Sequence, residues 1–242
     1  MKIAIIGYGR IGREIEKAAL ERGHSIIARI DNELEWEQHK KLFCKADVAI
    51  EFSLAGSAPA NILRCFEFNL PVVSGTTGWL DRMDEINRAC LENKQAFFYA
   101  PNFSIGVNIF FELNKKLAQM MSDFGEYEIS ISEAHHIHKA DAPSGTAIKL
   151  ADDIISESGQ KKAWTDSPDP GEDEIGITSL REGSIPGTHT VVYESSFDKI
   201  EITHSAKSRK GFAIGAVMAA EWLPGKKGVF GINHLLKTSG NQ

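Results

Sequence analysis

The first hundred residues alternate between two hydrophobic patterns. Residues 2–6 (KIAII), 25–30 (SIIARI), 48–52 (VAIEF), 71–74 (PVVS) and 96–100 (AFFYA) are short apolar runs. Runs this short predict strands buried on both faces. Between them the apolar positions fall at helical spacing. Ile11, Ile15, Ala18 and Ala19 form one stripe, and Ile62, Leu63 and Phe66 form another behind Pro59. Residues 84–93 also read as a helix, and Gly23 closes the first one. Strands alternating with helices imply a parallel, doubly wound sheet.

The pattern changes near residue 105. Residues 105–121 read as one long amphipathic helix. Tyr127, Ile129 and Ile131 alternate, so 126–133 reads as a strand with one covered face. A helix over about 146–158 and a polar loop over 160–171 follow. Three runs at 175–181, 189–194 and 199–204 then have period-two character, and their short connections predict largely antiparallel pairing. Residues 211–223 close the pattern as a helix. The expected architecture is α/β. Residues 1–104 and 211–242 would form a Rossmann-like doubly wound parallel sheet, and 105–210 a smaller α+β domain with a mixed open sheet.

Composition narrows the partners. Lys plus Arg number 27 and Asp plus Glu 33, a net charge of −6. An acidic chain has no global field for nucleic acid or an anionic membrane, so any anion needs a local basic cluster. The three cysteines, Cys44, Cys65 and Cys90, lack CxxC spacing and read as reduced thiols of a cytoplasmic protein. No apolar run approaches the roughly 18 residues that span a bilayer, and the N-terminus shows no secretory pattern.

The first chemical motif is Gly7-Tyr8-Gly9-Arg10-Ile11-Gly12, directly after the first strand and opening the first helix. In a dinucleotide site Gly7 makes the tight turn and Gly9 lets the pyrophosphate approach the backbone. Gly12 lets the helix pack on the strand, and Arg10 and Ile11 lie within the same loop. The free N–H groups at the helix start favour a phosphate. Asp31 ends the second strand, where a carboxylate accepts from the adenosine ribose. Its charge would repel a 2′-phosphate, which leans the reading to NADH over NADPH. Arg29, Lys40 and Lys41 are the nearby cations that could oppose that lean. Phe52-Ser53, Gly75-Thr76-Thr77 and the segment from Ala100 through Asn102 to Phe103 follow later strands. In open parallel sheets ligands bind beyond those ends; each segment is equally open to simple turn chemistry.

The second motif is EAHHIHKADAPSGTA at 133–147. His135, His136, His138 and Lys139 make it the strongest local basic cluster, and Ser144 is a natural helix cap before Gly145 and Thr146. Three readings stand. The histidines could hold a metal, although His135 opposes His136 and His138 on an extended chain and no HExxH spacing occurs. The segment could be a solvated loop. Or it is an acid–base and anion site, with a histidine as proton donor, Lys139 as a fixed ammonium and the helix start as a second anion hook. Two hooks and one acid suit a small dicarboxylate.

This segment is similar to the signature of the dihydrodipicolinate reductase family, E-A-H-H-x-x-K-x-D-A-P-S-G-T-A. Gly75-Thr76-Thr77-Gly78, the run from Asn102 to Asn108, Arg181-Glu182-Gly183 and the run from Thr203 to Phe212 also resemble family motifs. The resemblance implies an NAD(P)H-dependent reduction of 4-hydroxy-tetrahydrodipicolinate in lysine and diaminopimelate biosynthesis. It implies His135 as general acid and Lys139 as the substrate-binding donor beside it. His136 would line the pocket, and Gly145 and Thr146 would bind a carboxylate. Gly75 and Thr77 would touch the nicotinamide, and Arg209 would sit on the segment returning to the cofactor domain. It also implies a homotetramer assembled through the smaller domain's sheet. The glycine loop is one residue shorter than the family's usual G-x-x-G-R-M-G. Other nicotinamide-dependent imine reductases and a non-catalytic dinucleotide sensor remain as alternatives.

Overall fold

The computed structural model describes residues 1–208 and 210–237. In chain order the elements begin with β1 (Lys2–Ile6), α1 (Arg10–Glu21), β2 (Ser25–Ile30), α2 (Glu33–Phe43) and β3 (Val48–Glu51). Next come α3 (Ala58–Glu67), β4 (Val72–Ser74), α4 (Met83–Glu92), β5 (Ala96–Tyr99), α5 (Ile105–Met121) and β6 (Glu128–His135). After them follow α6 (Gly145–Ser158), β7 (Ala163–Thr165), β8 (Glu174–Arg181), β9 (Thr188–Glu194) and β10 (Lys199–Ser205). The chain closes with α7 (Lys210–Trp222), β11 (Gly228–Phe230) and α8 (Ile232–Lys237). Two compact units result: Met1–Ile105 with the chain from Lys210 onward, and the intervening chain from Gly106.

The first unit is a six-stranded sheet in the order β11-β5-β4-β3-β1-β2. Every pairing in it is parallel. Ile3, Ile5, Ile50 and Phe98 point to one face, where Ile15, Ala19, Ala216 and Ala220 of α1 and α7 cover them. Ile6, Ala49, Val72 and Phe97 point to the other, against Ile62 and Phe66 of α3 and Ile86 of α4. Burial on both faces explains the unbroken apolar runs. Two glycines are steric requirements. A Cβ on Gly12 would lie 2.2 Å from the Gly7 carbonyl oxygen, and one on Gly215 would lie 1.8 Å from that of Phe103. Both let a helix approach closer than a side chain permits.

α2, β7, β11 and α8 are absent from the sequence expectation, and β7 (Ala163–Thr165) corrects the reading of 160–171 as a polar loop throughout. The apolar residues of α2 make no clean stripe, and only Trp36 and Phe43 are buried. Its signal is a cap: Asn32 Oδ1 accepts from Glu35 N at 3.1 Å, the Asn-x-x-Glu pattern of a helix start. β11 is three residues long and lies beside β5 at the sheet edge.

The second unit is a five-stranded sheet in the order β10-β9-β6-β8-β7. Here the pairing expectation is corrected. β9 runs antiparallel to β6 and β10. β8, however, runs parallel to both β6 and β7. A helical crossover returns the chain to the end of the sheet where it started, so α6 delivers the next strands parallel to β6. Ile129, Ile131, Ile177, Val191 and Tyr193 bury one face of this sheet against Phe110, Phe111, Leu150 and Ile154 of α5 and α6. Among the described residues no helix is long and apolar enough to cross a membrane. Cys65 and Cys90 are buried, Cys44 is exposed, and all three are free thiols.

Candidate active site

In the first unit a cleft of about 460 Å³ opens at the carboxyl ends of the central strands. Gly7, Gly9, Asp31, Phe52, Ser53 and Asn61 line it. Gly7 has φ +87°, and a Cβ there would lie 2.2 Å from the Phe52 carbonyl oxygen, so this turn demands glycine. Gly9 differs: nothing lies within 4 Å of where its Cβ would be. Gly9 is also the N-cap of α1 and offers no side-chain cap. The first N–H groups of that helix therefore stay available to an anion. This open cradle fits the phosphates of a dinucleotide. Tyr8 N donates to Asp31 Oδ1 at 2.9 Å, which turns the carboxylate toward the glycine loop.

The cations near Asp31 are occupied or distant. Arg29 is paired with Glu16, to which Tyr8 also donates its hydroxyl. Lys40 and Lys41 lie in the last turn of α2, whose first residue is Glu33. At 1.5 Å per residue they are roughly 10 Å from its start. Arg10 is the exposed first residue of α1, with Ile11 half-buried behind it.

Sequence reasoning missed Glu51. It is fully buried at the end of β3. Its carboxylate accepts from Ser53 N at 2.9 Å, Thr76 Oγ1 at 3.0 Å, Ser74 Oγ at 2.6 Å and the Ser53 hydroxyl. One carboxylate thus ties together the turns after β3 and β4. A lone acid in the otherwise apolar run 48–52 was its signal. Gly75 has a packing reason of its own, since a Cβ there would lie 2.2 Å from the Phe52 ring. Thr76 points inward and Thr77 is exposed. Ala100 and Phe103 have buried side chains, while Asn102 Oδ1 accepts from Ser104 N. Arg209 lies outside the described residues.

In the second unit β6 and the loop after it carry the basic motif. His135 is the last residue of β6 and is 7% exposed. His136 is half-buried, its Nδ1 without a hydrogen-bond partner, whereas His138 is exposed. Lys139 Nζ is held by Asp141 at 2.7 and 2.8 Å. Ser144 caps α6, its hydroxyl accepting from Ala147 N at 3.3 Å. Gly145 and Thr146 begin that helix, where N–H groups have no carbonyl a turn earlier to bond.

The histidine that meets His135 comes from another strand. His189 of β9 packs edge-on against it, ring centres 5.0 Å apart. Between them lies Glu133, also buried. Glu133 Oε1 accepts from Arg181 Nη2 at 2.9 Å, Ser179 Oγ at 2.9 Å and Ser144 N at 3.1 Å. Arg181 thus brings a positive charge to this cluster. Burial alone would raise the Glu133 carboxyl, but donors from His189, Ser144, Arg181 and Ser179 outweigh it and hold it far below the usual carboxylate range. Burial pushes the His135 imidazole down to about 4, with the charges of His189, Lys139 and Arg181 in the same direction and Glu133 opposing.

An open glycine cradle on a parallel sheet is the build of a nicotinamide-dependent oxidoreductase, and comparison with known proteins agrees on that class. Family models for the dihydrodipicolinate reductase N-terminus and C-terminus match residues 1–103 and 106–236. The chain therefore belongs to the dihydrodipicolinate reductase family. It is 51% identical to the 4-hydroxy-tetrahydrodipicolinate reductase of Christiangramia forsetii, over 98% of both chains. It is 38% identical to that of Archaeoglobus fulgidus, over 92% of this chain and 94% of the relative. Its fold matches the dipicolinate-bound dihydrodipicolinate reductase of Paenisporosarcina sp. TG-14 with a TM-score of 0.77 at 22% identity, over 96% of this chain and 97% of the other.

Proposed function

We propose that the chain reduces 4-hydroxy-tetrahydrodipicolinate to tetrahydrodipicolinate, with NADH preferred. The first unit would hold the cofactor through Gly7, Gly9, Arg10, Ile11, Gly12 and Asp31, with Ser53 lining the same cleft and the exposed Thr77 after β4 turned to the nicotinamide. The second would hold the substrate. When bound, the nicotinamide supplies a hydride from C4. The residues of this chain do the rest.

Gly145 and Thr146 N–H groups receive one substrate carboxylate, and Lys139 receives the other by releasing Asp141. Once the 4-hydroxyl has left as water, the ring holds a conjugated C=C–C=N system. Hydride adds at one end, and the charge that develops at the other takes a proton from His135. In the free site His135 is neutral at pH 7. The dianion changes that, since two negative charges beside a buried imidazole favour its protonated form. The proton is therefore loaded when the substrate arrives.

The observation that carries this reading is the shared anchor of acid and anion hook. Glu133 lies beside His135 and holds Ser144 N, the cap residue of α6, at 3.1 Å. A proton donor and a carboxylate site are thereby built on one rigid frame. The preference for NADH rests on the Asp31 carboxylate and on Arg29 being committed to Glu16. Three free thiols suit a reducing compartment, which supports a cytoplasmic enzyme. The outer face of the second sheet presents Ser130, Thr178, Thr190 and Val192, small side chains, beside the exposed apolar Leu180, a face that suits assembly of homotetramers sheet to sheet. The test is turnover with freshly generated dicarboxylate imine. His135→Gln should lower kcat by about 10²- to 10⁴-fold with NADH affinity unchanged; undiminished turnover would remove His135 from the mechanism.

A further inference from the structure

Two buried atoms in the second unit lack hydrogen-bond partners and face each other. They are Glu133 Oε2 and His135 Nδ1, 3.6 Å apart; His189 Nε2 lies equally far from that oxygen but has the Ser144 hydroxyl at 3.2 Å. That gap is too long for a hydrogen bond. Buried polar atoms left unpaired this close to each other call for an explanation. The carboxylate cannot turn away, because its Oε1 is fixed by Arg181, Ser179 and Ser144. The opposite edge of the imidazole is equally defined. A Cβ on Gly187 would lie 3.0 Å from His135 Nε2, so only a glycine leaves that nitrogen uncovered. Gly187 has φ +155°.

We propose that Glu133 is a positioning residue, which holds the His135 ring with Nδ1–H toward its free oxygen and leaves Nε2, over the gap at Gly187, as the atom that passes the proton. The proposal rests on His135 being the proton donor. Free imidazoles favour no single nitrogen strongly, and which one carries the proton is set by the bond the other makes. A carboxylate behind the ring also stabilises the imidazolium when it forms, the role an aspartate takes behind a catalytic histidine. Formation of the cation draws the 3.6 Å gap into a charge-assisted bond, so the frame is poised for the loaded state. The charged and titratable groups facing His135 are Glu133 on its own strand, Arg181 on β8, His189 on β9 and Lys139 on the following loop. Of these only Glu133 favours the imidazolium.

The test begins with nitrogen NMR of ¹⁵N-histidine-labelled full-length protein, assigned by comparison with His135→Gln. The expected result is the Nδ1–H tautomer for His135 at pH 7. An Nε2–H tautomer would overturn the proposal, and that reading is made on the native protein, with Glu133 intact. The second arm is the pH profile of kcat. With Glu133→Gln the alkaline limb should move at least one unit lower, so that kcat at pH 8 falls ten-fold more than kcat at pH 6. Glu133→Asp should restore part of the shift. A uniform loss with an unmoved limb would mean that Glu133 only supports the fold, and would also overturn the proposal. Full turnover in His135→Gln, together with the expected tautomer, would refute the proton-donor reading separately.

Discussion

Lowering the pH should unfold this protein partly through one imidazole. His135 titrates near 6.5 in an unfolded chain and is held at about 4 in the native one, because burial and the neighbouring cations disfavour its charge. A depressed pKa contributes stability that is complete above the unfolded value and is lost as pH falls toward the folded one. The window is therefore pH 6.5 to 4. Between pH 8 and pH 4.5 the unfolded chain gains almost a full proton at this site, and the native chain only a fraction. The difference amounts to on the order of 2–3 kcal/mol, or roughly 5–10 °C in Tm for a chain of this size. His135 is only 7% exposed, so solvent screens its charge little. The assay is thermal unfolding of the native protein and His135→Gln at half-unit pH steps. Glu133, Glu16 and Glu221 are also held low and lose their contribution in acid, but they do so in both proteins. The native protein should therefore lose its stability relative to the variant between pH 6.5 and 4.5. Parallel curves would refute the argument that burial holds the imidazole neutral.

Other outcomes follow from single contacts. Gly12→Ala would place a Cβ 2.2 Å from the Gly7 carbonyl oxygen. It should cost about 1–3 kcal/mol and weaken NADH binding, read by urea unfolding and fluorescence titration. Asp31→Asn keeps an acceptor for Tyr8 N but removes the charge. The NADPH-to-NADH ratio of kcat/KM should rise by roughly tenfold, as expected for one charge a few ångströms from a phosphate. Lys139→Ala should raise KM and lower kcat together in steady-state assays, because a carboxylate loses its partner and the transition state its support. An unchanged kcat would restrict Lys139 to binding.

Much of the chain was readable because its signals are local. Runs such as KIAII fixed the strands of the first sheet, and their lack of alternation showed that both faces are covered. The glycine loop was readable for the same reason, since a positive φ at Gly7 and a close contact at Gly12 leave no other residue. The His-His-x-x-Lys segment declared its basic character and its helix cap within fifteen residues. Helix α2 was less legible, because tertiary burial of Trp36 and Phe43, not a hydrophobic stripe, holds it in place.

The tertiary structure alone decided three things. It set the direction of β8, because parallel or antiparallel pairing depends on the path of the crossover and leaves no trace in period-two alternation. It placed Glu51 under Ser53, Ser74 and Thr76, bringing together residues 23 and 25 positions apart in the chain. And it chose the neighbours of His135. Within the sequence its companions were His136 and His138; in the fold they are Glu133, two residues back on the same strand face, with Arg181 and His189 from the strands on either side. Residue types announce what chemistry is available. Which atoms meet, and which are left unpaired inside, depends on strand register, and register is a property of the folded sheet.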